Sequence, residues 1–329
     1  MNQILPPISN NWSSFSQMTQ NICIHPNDQQ QVAILAQTQK ALVRMERDSF
    51  KIFADKKRTK FSPECIAFFR LIPSIAQLRF CLDQTIEINS YIRVIFEELS
   101  HPMHEQFLTG FHTYLDTEYY LNTIDRIKSA VIQNKCALKS LKKIALIKDQ
   151  VSKQKKNFSQ LLIKHQELNC FLIELPFEQN SAALWGESLD SSEKNTILFL
   201  KKYLKNIHVA TIFDQKLCDI QWRIIKNFNG KLTGQILIYL VNINVDCQPA
   251  FQEIWTNTTK EGLASYSPIS LFYITPLTCY MGNGVALKEW KEKLDLLQIP
   301  LEFYSYKANG ISFEWKSYTG NLYALKSKD

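Results

Sequence analysis

Residues 219–242 read DIQWRIIKNFNGKLTGQILIYLVN and carry the clearest local pattern in the chain. The dipeptide Asn229-Gly230 readily supplies the two positive φ angles of a type I′ turn, and the segments on either side are rich in Ile, Leu, Val and aromatic residues. The stretch therefore predicts a long β hairpin. A two-residue turn fixes the register, and the predicted facing pairs are Trp222 with Leu237, Ile220 with Tyr239, Arg223 with Ile236, Ile224 with Gln235 and Ile225 with Gly234.

The predicted hairpin is largely apolar on both faces. Such a hairpin belongs inside a layered domain, with helices on at least one face, and not at a solvated edge. The segments around it follow in an order that is typical of an α+β domain with a mainly antiparallel sheet. The predicted elements are strands at 170–177 and 269–276, helices at 192–206, 249–262 and 287–297, and a terminal hairpin that turns at Asn309-Gly310.

The first half of the chain has a helical pattern. Residues 1–26 hold prolines among Asn, Ser and Gln, which predicts a flexible arm. Residues 27–165 predict a helical region, and residues 166–329 form the predicted α+β domain. The predicted helices run from Asn27 or Asp28 to Phe53, from Ser62 to Leu99 with a break or kink at Pro73, and from Ser100 to Lys164.

Composition restricts the class of protein. The chain has 329 residues and is 45% hydrophobic, which is ordinary for a globular protein with a buried core. We expect a cytoplasmic protein without a membrane partner, because no apolar run approaches the roughly 18 to 20 residues of a membrane span and the start does not resemble a secretory signal. The eight cysteines include no Cys-x-x-Cys pair, so reduced thiols are expected.

Lysines dominate residues 135–164, where nine of them accompany a single acid, Asp149. Clustered lysines neutralise phosphates and release counterions, so one interpretation is a helix that binds nucleic acid; the other is a solvated helix face that joins two domains. The run lacks arginine and its only aromatic residue is Phe158, so non-specific phosphate contacts are expected. The candidate nucleic-acid-binding residues are Lys135, Lys139, Lys142, Lys143, Lys153, Lys155 and Lys156, together with Arg223 on the hairpin; Lys148 and Lys164 complete the run.

Motifs for nucleotide binding or hydrolase chemistry are missing from the sequence. It has no Gly-x-x-x-x-Gly-Lys, no Gly-x-Gly-x-x-Gly and no Gly-x-Ser-x-Gly segment. His101, His104 and His112 lie close in sequence, but their spacing does not favour a compact metal site, and we expect neither metal nor cofactor. Glu174 is the one acid in a predicted buried strand. It is therefore either a catalytic candidate or the satisfied end of a core hydrogen bond.

A series of features between Gln166 and Trp255 recurs in the same order in one family. They are Ile173-Glu174-Leu175, the helix from Ser192 to Asn206, Trp222, the strand that ends in Tyr239-Leu240-Val241-Asn242, and Phe251-Gln252-Glu253-Ile254-Trp255-Thr256 with Gly262. This series resembles the core of the YagK/YfjJ family, the replication-associated proteins of filamentous phages and integrated elements. That family is similar to the HUH replication initiators, in which a histidine pair and an acid hold a divalent cation and a tyrosine attacks single-stranded DNA.

The resemblance implies a degenerate site. The family's acid falls on Ile225, and its His-x-His motif falls on Gly234 and Ile236. None of these side chains can bind a cation, because a divalent metal needs oxygen or imidazole ligands. The predicted register makes Ile225 and Gly234 neighbours, and an error of one residue would bring in Gln235 but no histidine.

We therefore expect a replication-associated nucleic-acid-binding protein of a phage or other mobile element, with a replication protein as a further partner and no DNA cleavage. One alternative is an active metal-dependent nickase with displaced ligands, such as Glu174 with a histidine from the helical half. Its first candidate for the nucleophile would be Tyr280, and the next candidates would be Tyr266 and Tyr273. The other alternative is a protein-interaction scaffold or regulator of a mobile element.

Overall fold

The structure is a computed structural model that describes residues 26–82, 86–104, 117–177, 189–226, 232–243, 246–260, 273–308, 311–312 and 314–318. Residues 1–25 of the predicted arm and the Asn229-Gly230 turn lie outside this part of the chain. Contacts within the chain define two compact units. The helical unit holds Ile24–Lys148 and Ile299–Ser305, and the sheet unit holds Asp149–Gln298 and Tyr306–Asp329. This division falls earlier in the chain than the predicted boundary after residue 165.

Four helices and a short strand build most of the helical unit. They are α1 (Pro26–Glu46), α2 (Pro63–Cys81), β1 (Ile86–Ile88), α3 (Ser90–Glu98) and α4 (Thr117–Gln133), with single 3-10 turns at Pro102–His104 and Ile299–Glu302. Ser62 caps α2, because its hydroxyl accepts a hydrogen bond from the Cys65 N–H at 3.0 Å. Pro63 then takes a position in the first turn, where its missing N–H costs nothing.

The first helix is shorter than predicted. α1 ends at Glu46 and not at Phe53. Asp48 takes a left-handed φ of 54°, and the Ser49 N–H bonds back to the Arg44 carbonyl at 2.9 Å. This arrangement satisfies a carbonyl at the helix end and turns the chain away from the helix axis.

The other predicted helices break at different points. Pro73 lies inside α2, and the helix ends instead at Cys81. The predicted helix from Ser100 to Lys164 is divided, so that α4 is followed by α5 (Cys136–His165). Lys135, between the two, takes a left-handed φ of 51°, which ends one helix before the next begins. None of the described helices is long and apolar enough to cross a membrane.

Five strands of the sheet unit form one antiparallel sheet in the order β5-β2-β4-β3-β8. These strands are β2 (Glu167–Phe177), β3 (Leu217–Lys226), β4 (Leu232–Leu240), β5 (Tyr273–Tyr280) and β8 (Lys316–Ser317). The helices α6 (Leu189–Val209), α7 (Gln248–Lys260) and α8 (Gly284–Leu296) belong to the same unit, as does the later part of α5. Near the C-terminus, β6 (Tyr304–Ala308) pairs with β7 (Ile311–Ser312) in a second sheet, whose strand order is β1-β6-β7. The predicted α+β class is confirmed.

The register of the central hairpin differs by one residue from the predicted one. Trp222 lies opposite Ile236, and Ile225 lies opposite Thr233. The last facing pair is Lys226 with Leu232, which leaves residues 227–231 as the connection. Five residues is an odd number, whereas a two-residue turn leaves an even number of residues between the two members of any facing pair. All five predicted pairs are therefore wrong.

One face of the sheet packs under α6 and α7, and we call it the apolar face. Its strand residues are Phe171, Ile173, Leu175, Phe177, Ile220, Trp222, Ile224, Leu232, Ile236, Ile238 and Leu240, and the helices add Phe199, Leu200, Tyr203, Leu204, Ile207, Phe251 and Trp255. The Tyr203 hydroxyl donates to the Phe251 carbonyl at 3.0 Å, so the one polar atom of that side chain is satisfied inside the core.

The opposite face, which we call the mixed face, packs against α5 and α8. The Phe158 ring of α5 lies 6.1 Å from the Tyr239 ring and 6.5 Å from the Trp290 ring, measured between centroids. The alternation of side chains along a strand puts Glu174, Gln235 and Arg223 on this same face. The sheet thus separates an apolar core from a face that buries charge.

Candidate nucleic-acid interface

The predicted nucleic-acid-binding lysines lie on or beside α5, which has one buried side. Its buried residues are Cys136, Ser140, Ile147, Gln154, Phe158 and Leu162. At 3.6 residues per turn these positions span an arc of about 80° around the helix axis. Five exposed lysines span a separate arc of about 100°. We call these five the lysine face, and they are Lys139, Lys142, Lys153, Lys156 and Lys164.

Most lysines of the lysine face have no acidic partner among the described residues. Within the described part of the chain, no carboxylate forms an ion pair with the lysines at 139, 142, 156 and 164. Lys153 bonds to Asp149 one helical turn away, at 2.7 Å. Both partners are exposed, so this pair contributes little and a phosphate can compete for the ammonium group. Lys135 lies just before the helix and is also exposed.

Two predicted members of the interface point elsewhere. Burial lowers the pKa of Lys143 to about 8, while the charges of Glu87 and Glu302 oppose that change. Lys155 bonds to Asp295 of α8 at 2.7 Å. Lys143 is desolvated, and the ammonium group of Lys155 is directed toward α8. Neither side chain therefore belongs to the lysine face, although the sequence alone predicts both as contacts.

Arg223 is the clearest correction to the predicted interface. It is only 1% exposed, so it cannot contact DNA from the sheet surface. Its guanidinium donates to Gln298 Oε1 at 2.6 Å and to the Leu297 carbonyl at 2.7 Å. The same group lies 4.5 Å from the centroid of the Trp315 ring, a distance at which a cation is attracted to an aromatic face. The sequence gives no local signal for these partners because they follow Arg223 by more than seventy positions.

Glu174, Gln235 and Arg223 form a row across three adjacent strands. β2 and β4 pair Glu174 with Gln235, and β4 and β3 pair Gln235 with Arg223. Gln235 Nε2 donates to Glu174 Oε1 at 2.7 Å, and Arg223 Nε donates to Gln235 Oε1 at 2.8 Å. The row exists only in the observed register, since the predicted one places Ile224 opposite Gln235.

Burial sets the ionisation of this row. It raises the pKa of Glu174 to about 7, against the opposing hydrogen bond from Gln235 and the charge of Arg223. Burial also lowers the pKa of Arg223 to about 9, against the attraction of Glu174. Glu174 is 3% exposed, so it does not face an open cleft in which it could exchange protons with a substrate. We interpret the row as a structural link between strands.

The two candidate catalytic residues lie far apart. β2 pairs Glu174 with Tyr273, but it pairs Glu167 with Tyr280. These rows are seven residues apart along the strands (280 minus 273), which corresponds to about 23 Å at 3.3 Å per residue. Tyr280 is 49% exposed at the end of β5. Tyr266 and the side chain of Tyr273 lie outside the described residues.

His104 has partners inside the helical unit. One ring nitrogen lies 2.7 Å from the Tyr119 hydroxyl, and the other lies 3.3 Å from Glu98 Oε1. Arg126 Nε donates to the same Glu98 oxygen at 2.7 Å. Burial of Glu98 favours the neutral acid, but the hydrogen bonds from His104 and Arg126 outweigh it and lower the pKa. This network connects α3 to α4 and engages one of the histidines that the nickase alternative could use.

The positions matched to the family's metal ligands do not lie together. Ile225 is on the mixed face, whereas Gly234 and Ile236 are on the apolar face, so the predicted neighbour pair is wrong. Among the side chains that the structure describes, no three His, Cys, Asp or Glu residues are grouped as metal ligands. His101 is exposed, and His112 lies outside the described residues.

Comparisons of the chain with protein-family models, with curated proteins and with solved structures found no match. The resemblance to the YagK/YfjJ family therefore stays a prediction from the order of sequence features. Among the described residues, those of the lysine face provide the observation on which a functional proposal can rest.

Proposed function

We propose that the protein binds nucleic acid through the lysine face and does not cut it. One observation carries the proposal: five exposed lysines share one side of a single helix, away from its buried side. An ammonium group is a compact charge, and its contacts with phosphate oxygens carry no direct information about base sequence. The absence of arginine from α5 therefore favours binding that is independent of sequence.

α5 is long enough to contact several phosphates. Its 30 residues rise about 45 Å at 1.5 Å each, while duplex DNA presents one charge per roughly 1.7 Å of its axis. Four to five phosphate contacts give a slope of log affinity against log salt of about −3.6 to −4.5 for a duplex. The corresponding slope for a single strand is about −2.8 to −3.5.

The proposed absence of cleavage rests on where the catalytic candidates lie. A cleaving site needs an acid, base or nucleophile that reaches the scissile phosphate. Glu174 is buried in the strand row, and Tyr280 is about 23 Å away along the sheet. The sequence resemblance adds a context, which is the replication of a phage or other mobile element, with a HUH-like domain that lacks its metal ligands and with a replication protein as partner.

Binding and nicking assays test this proposal. Fluorescence anisotropy with mixed-sequence duplex and single-stranded 30-mers, between 25 and 200 mM KCl, should give affinities that fall steeply with salt and differ little between sequences. Supercoiled plasmid incubated with Mg²⁺ or Mn²⁺ should remain intact. A covalent DNA adduct that disappears in Tyr280→Phe would overturn the non-cleaving assignment, and no binding at 25 mM KCl would overturn the nucleic-acid assignment.

A protein-interaction scaffold is the second candidate, and exposed apolar side chains of α5 favour it. Leu146 is 63% exposed, and both it and the exposed Leu138 lie within the arc of the lysine face, while Ile163 is exposed beside that arc. Contiguous exposed apolar patches mark surfaces that bind protein partners. Tight binding to a partner that persists at high salt, without DNA affinity, would select this function over the first.

A further inference from the structure

We propose that a second phosphate-binding element lies in the helical unit, in the segment from Asp55 to Lys60, which we call the basic loop. The loop connects α1 to α2 and reads DKKRTK. Its occupant is the phosphate backbone of nucleic acid, so this inference rests on the proposed function and adds a second surface to it. The structure assigns the loop a fixed shape, which a merely solvated run of charges does not need.

A short ladder closes the base of the loop. Phe53 and Phe61 form an antiparallel bridge, and the Ala54 N–H donates to the Lys60 carbonyl at 2.9 Å. The two phenylalanine rings stack with centroids 5.5 Å apart. Phe61 also lies 4.7 Å from the ring of Tyr120 in α4, which ties the base of the loop to the helices.

The Asp55 side chain organises the tip of the loop. Its Oδ1 accepts hydrogen bonds from the Thr59 N–H at 2.9 Å and the Lys60 N–H at 3.4 Å, and its Oδ2 accepts from the Thr59 hydroxyl. The hydrogen bond from the Thr59 side chain is the main reason that the pKa of Asp55 lies below its ordinary value. An ionised carboxylate therefore holds the turn at neutral pH.

Arg58 takes a backbone conformation that is unfavourable for its residue type. Its φ is 56°, in the left-handed region that glycine and asparagine adopt more easily. The guanidinium carbon lies 6.0 Å from the centroid of the Phe53 ring. This conformation turns the chain within the loop, where the Arg58 N–H donates to the Asp55 carbonyl at 3.3 Å.

The cations of the loop are open to a ligand. Lys56, Lys57, Arg58 and Lys60 are all exposed, and none of the three lysines has an acidic partner in the described part of the chain. Residues 56–60 contain no apolar side chain that could insert into a lipid bilayer, which favours a nucleic-acid backbone over a membrane surface. Since the loop is ordered before a ligand arrives, phosphate binding does not have to supply the ordering entropy.

A matched pair of variants at Asp55 separates loop shape from charge. Asp55→Asn and Asp55→Ala remove the same negative charge, but the asparagine oxygen still accepts from the Thr59 and Lys60 N–H groups. We expect Asp55→Asn to bind duplex DNA roughly three- to tenfold more tightly than Asp55→Ala at the same salt concentration. Equal affinities would show that the loop shape is irrelevant and would overturn the inference.

A charge variant tests whether the loop contacts phosphates at all. Replacing the lysines at 56, 57 and 60 together by glutamine should flatten the duplex salt slope by up to about 2.7. If this variant has the affinity and salt slope of the wild type while a lysine-face variant loses affinity, the inference about the basic loop is wrong and the proposed function is retained. If neither the wild type nor any variant binds DNA, the proposed function fails and the loop inference with it. Loop-dependent binding to vesicles with 30% phosphatidylserine, without loop-dependent DNA binding, would assign the loop to a membrane surface instead.

Discussion

The buried strand row predicts an unusual pH dependence, which Glu174→Gln isolates. Glutamine has nearly the shape of the protonated acid, and its carbonyl oxygen can still accept the hydrogen bond that Gln235 Nε2 now gives to Glu174 at 2.7 Å. The substitution therefore removes the titration and preserves the contact. Arg223, whose pKa burial lowers to about 9, remains charged below pH 8, so it does not titrate in the same range.

The magnitude follows from the two ionisation constants. Burial raises the pKa of Glu174 from its ordinary 4.5 to about 7 in the folded chain. Between these values the unfolded chain releases the proton and the folded chain keeps it, so the free energy of unfolding falls as pH rises, by about 1.4 kcal/mol per pH unit. The contribution is fully present below pH 4.5 and is lost as pH passes about 7, a total of about 3 kcal/mol.

Tryptophan fluorescence suits the measurement. All tryptophans within the described residues, Trp222, Trp255, Trp290 and Trp315, belong to the sheet unit. Urea unfolding followed by this signal, for wild type and Glu174→Gln at half-unit steps from pH 4.5 to 8, should show the wild type losing about 3 kcal/mol relative to the variant. A difference that is constant with pH, or that moves in favour of the wild type as pH rises, would refute a protonated Glu174 in the folded state.

Two further predictions concern packing and capping. Gly234→Val should destabilise the sheet unit by about 1 to 3 kcal/mol, because a Cβ there would lie 3.2 Å from Leu200 Cδ1 and 3.4 Å from Phe177 Cε2; the same urea assay checks this, and an unchanged midpoint would contradict it. Ser62→Ala should destabilise the helical unit by about 1 kcal/mol, because the Cys65 N–H loses its acceptor. Thermal unfolding followed by circular dichroism at 222 nm measures that loss, and Ser62→Asn, which can cap a helix, is the control.

Most elements of the sheet unit were predictable because they have strong local patterns, although β5 ends at Tyr280 and not at the predicted residue 276. The strand that includes Glu174, the hairpin strands and the helices on either side of the hairpin all lie close to their predicted places. The register was not predictable, because it depends on the number of residues in a turn whose type was inferred from Asn229-Gly230 alone. Because the observed register differs by one residue from the predicted one, Gly234 and Ile225 lie on opposite faces of the sheet. The same difference places Gln235 between Glu174 and Arg223.

The candidate site was predictable only at the level of composition. Nine lysines in one stretch indicate a basic helix, and helical periodicity then tells which of them share a side. Neither property shows that Lys143 is desolvated or that Lys155 is paired with Asp295, because both depend on residues far away in sequence. The burial of Arg223 has the same origin, since its partners come from the segment after α8.

The central claim is that the lysine face binds phosphates, and the salt dependence of duplex affinity in two charge-matched variants tests it most directly. The first variant replaces the four unpaired lysines of the face by glutamine, namely Lys139, Lys142, Lys156 and Lys164. The control replaces four exposed lysines that lie elsewhere, including one on another side of α5, namely Lys40, Lys148, Lys205 and Lys288. We predict that the first variant flattens the log-log slope by up to about 3.6 and that the control leaves it nearly unchanged. Equal slopes in the two variants, or a first variant that keeps the wild-type slope, would contradict the claim.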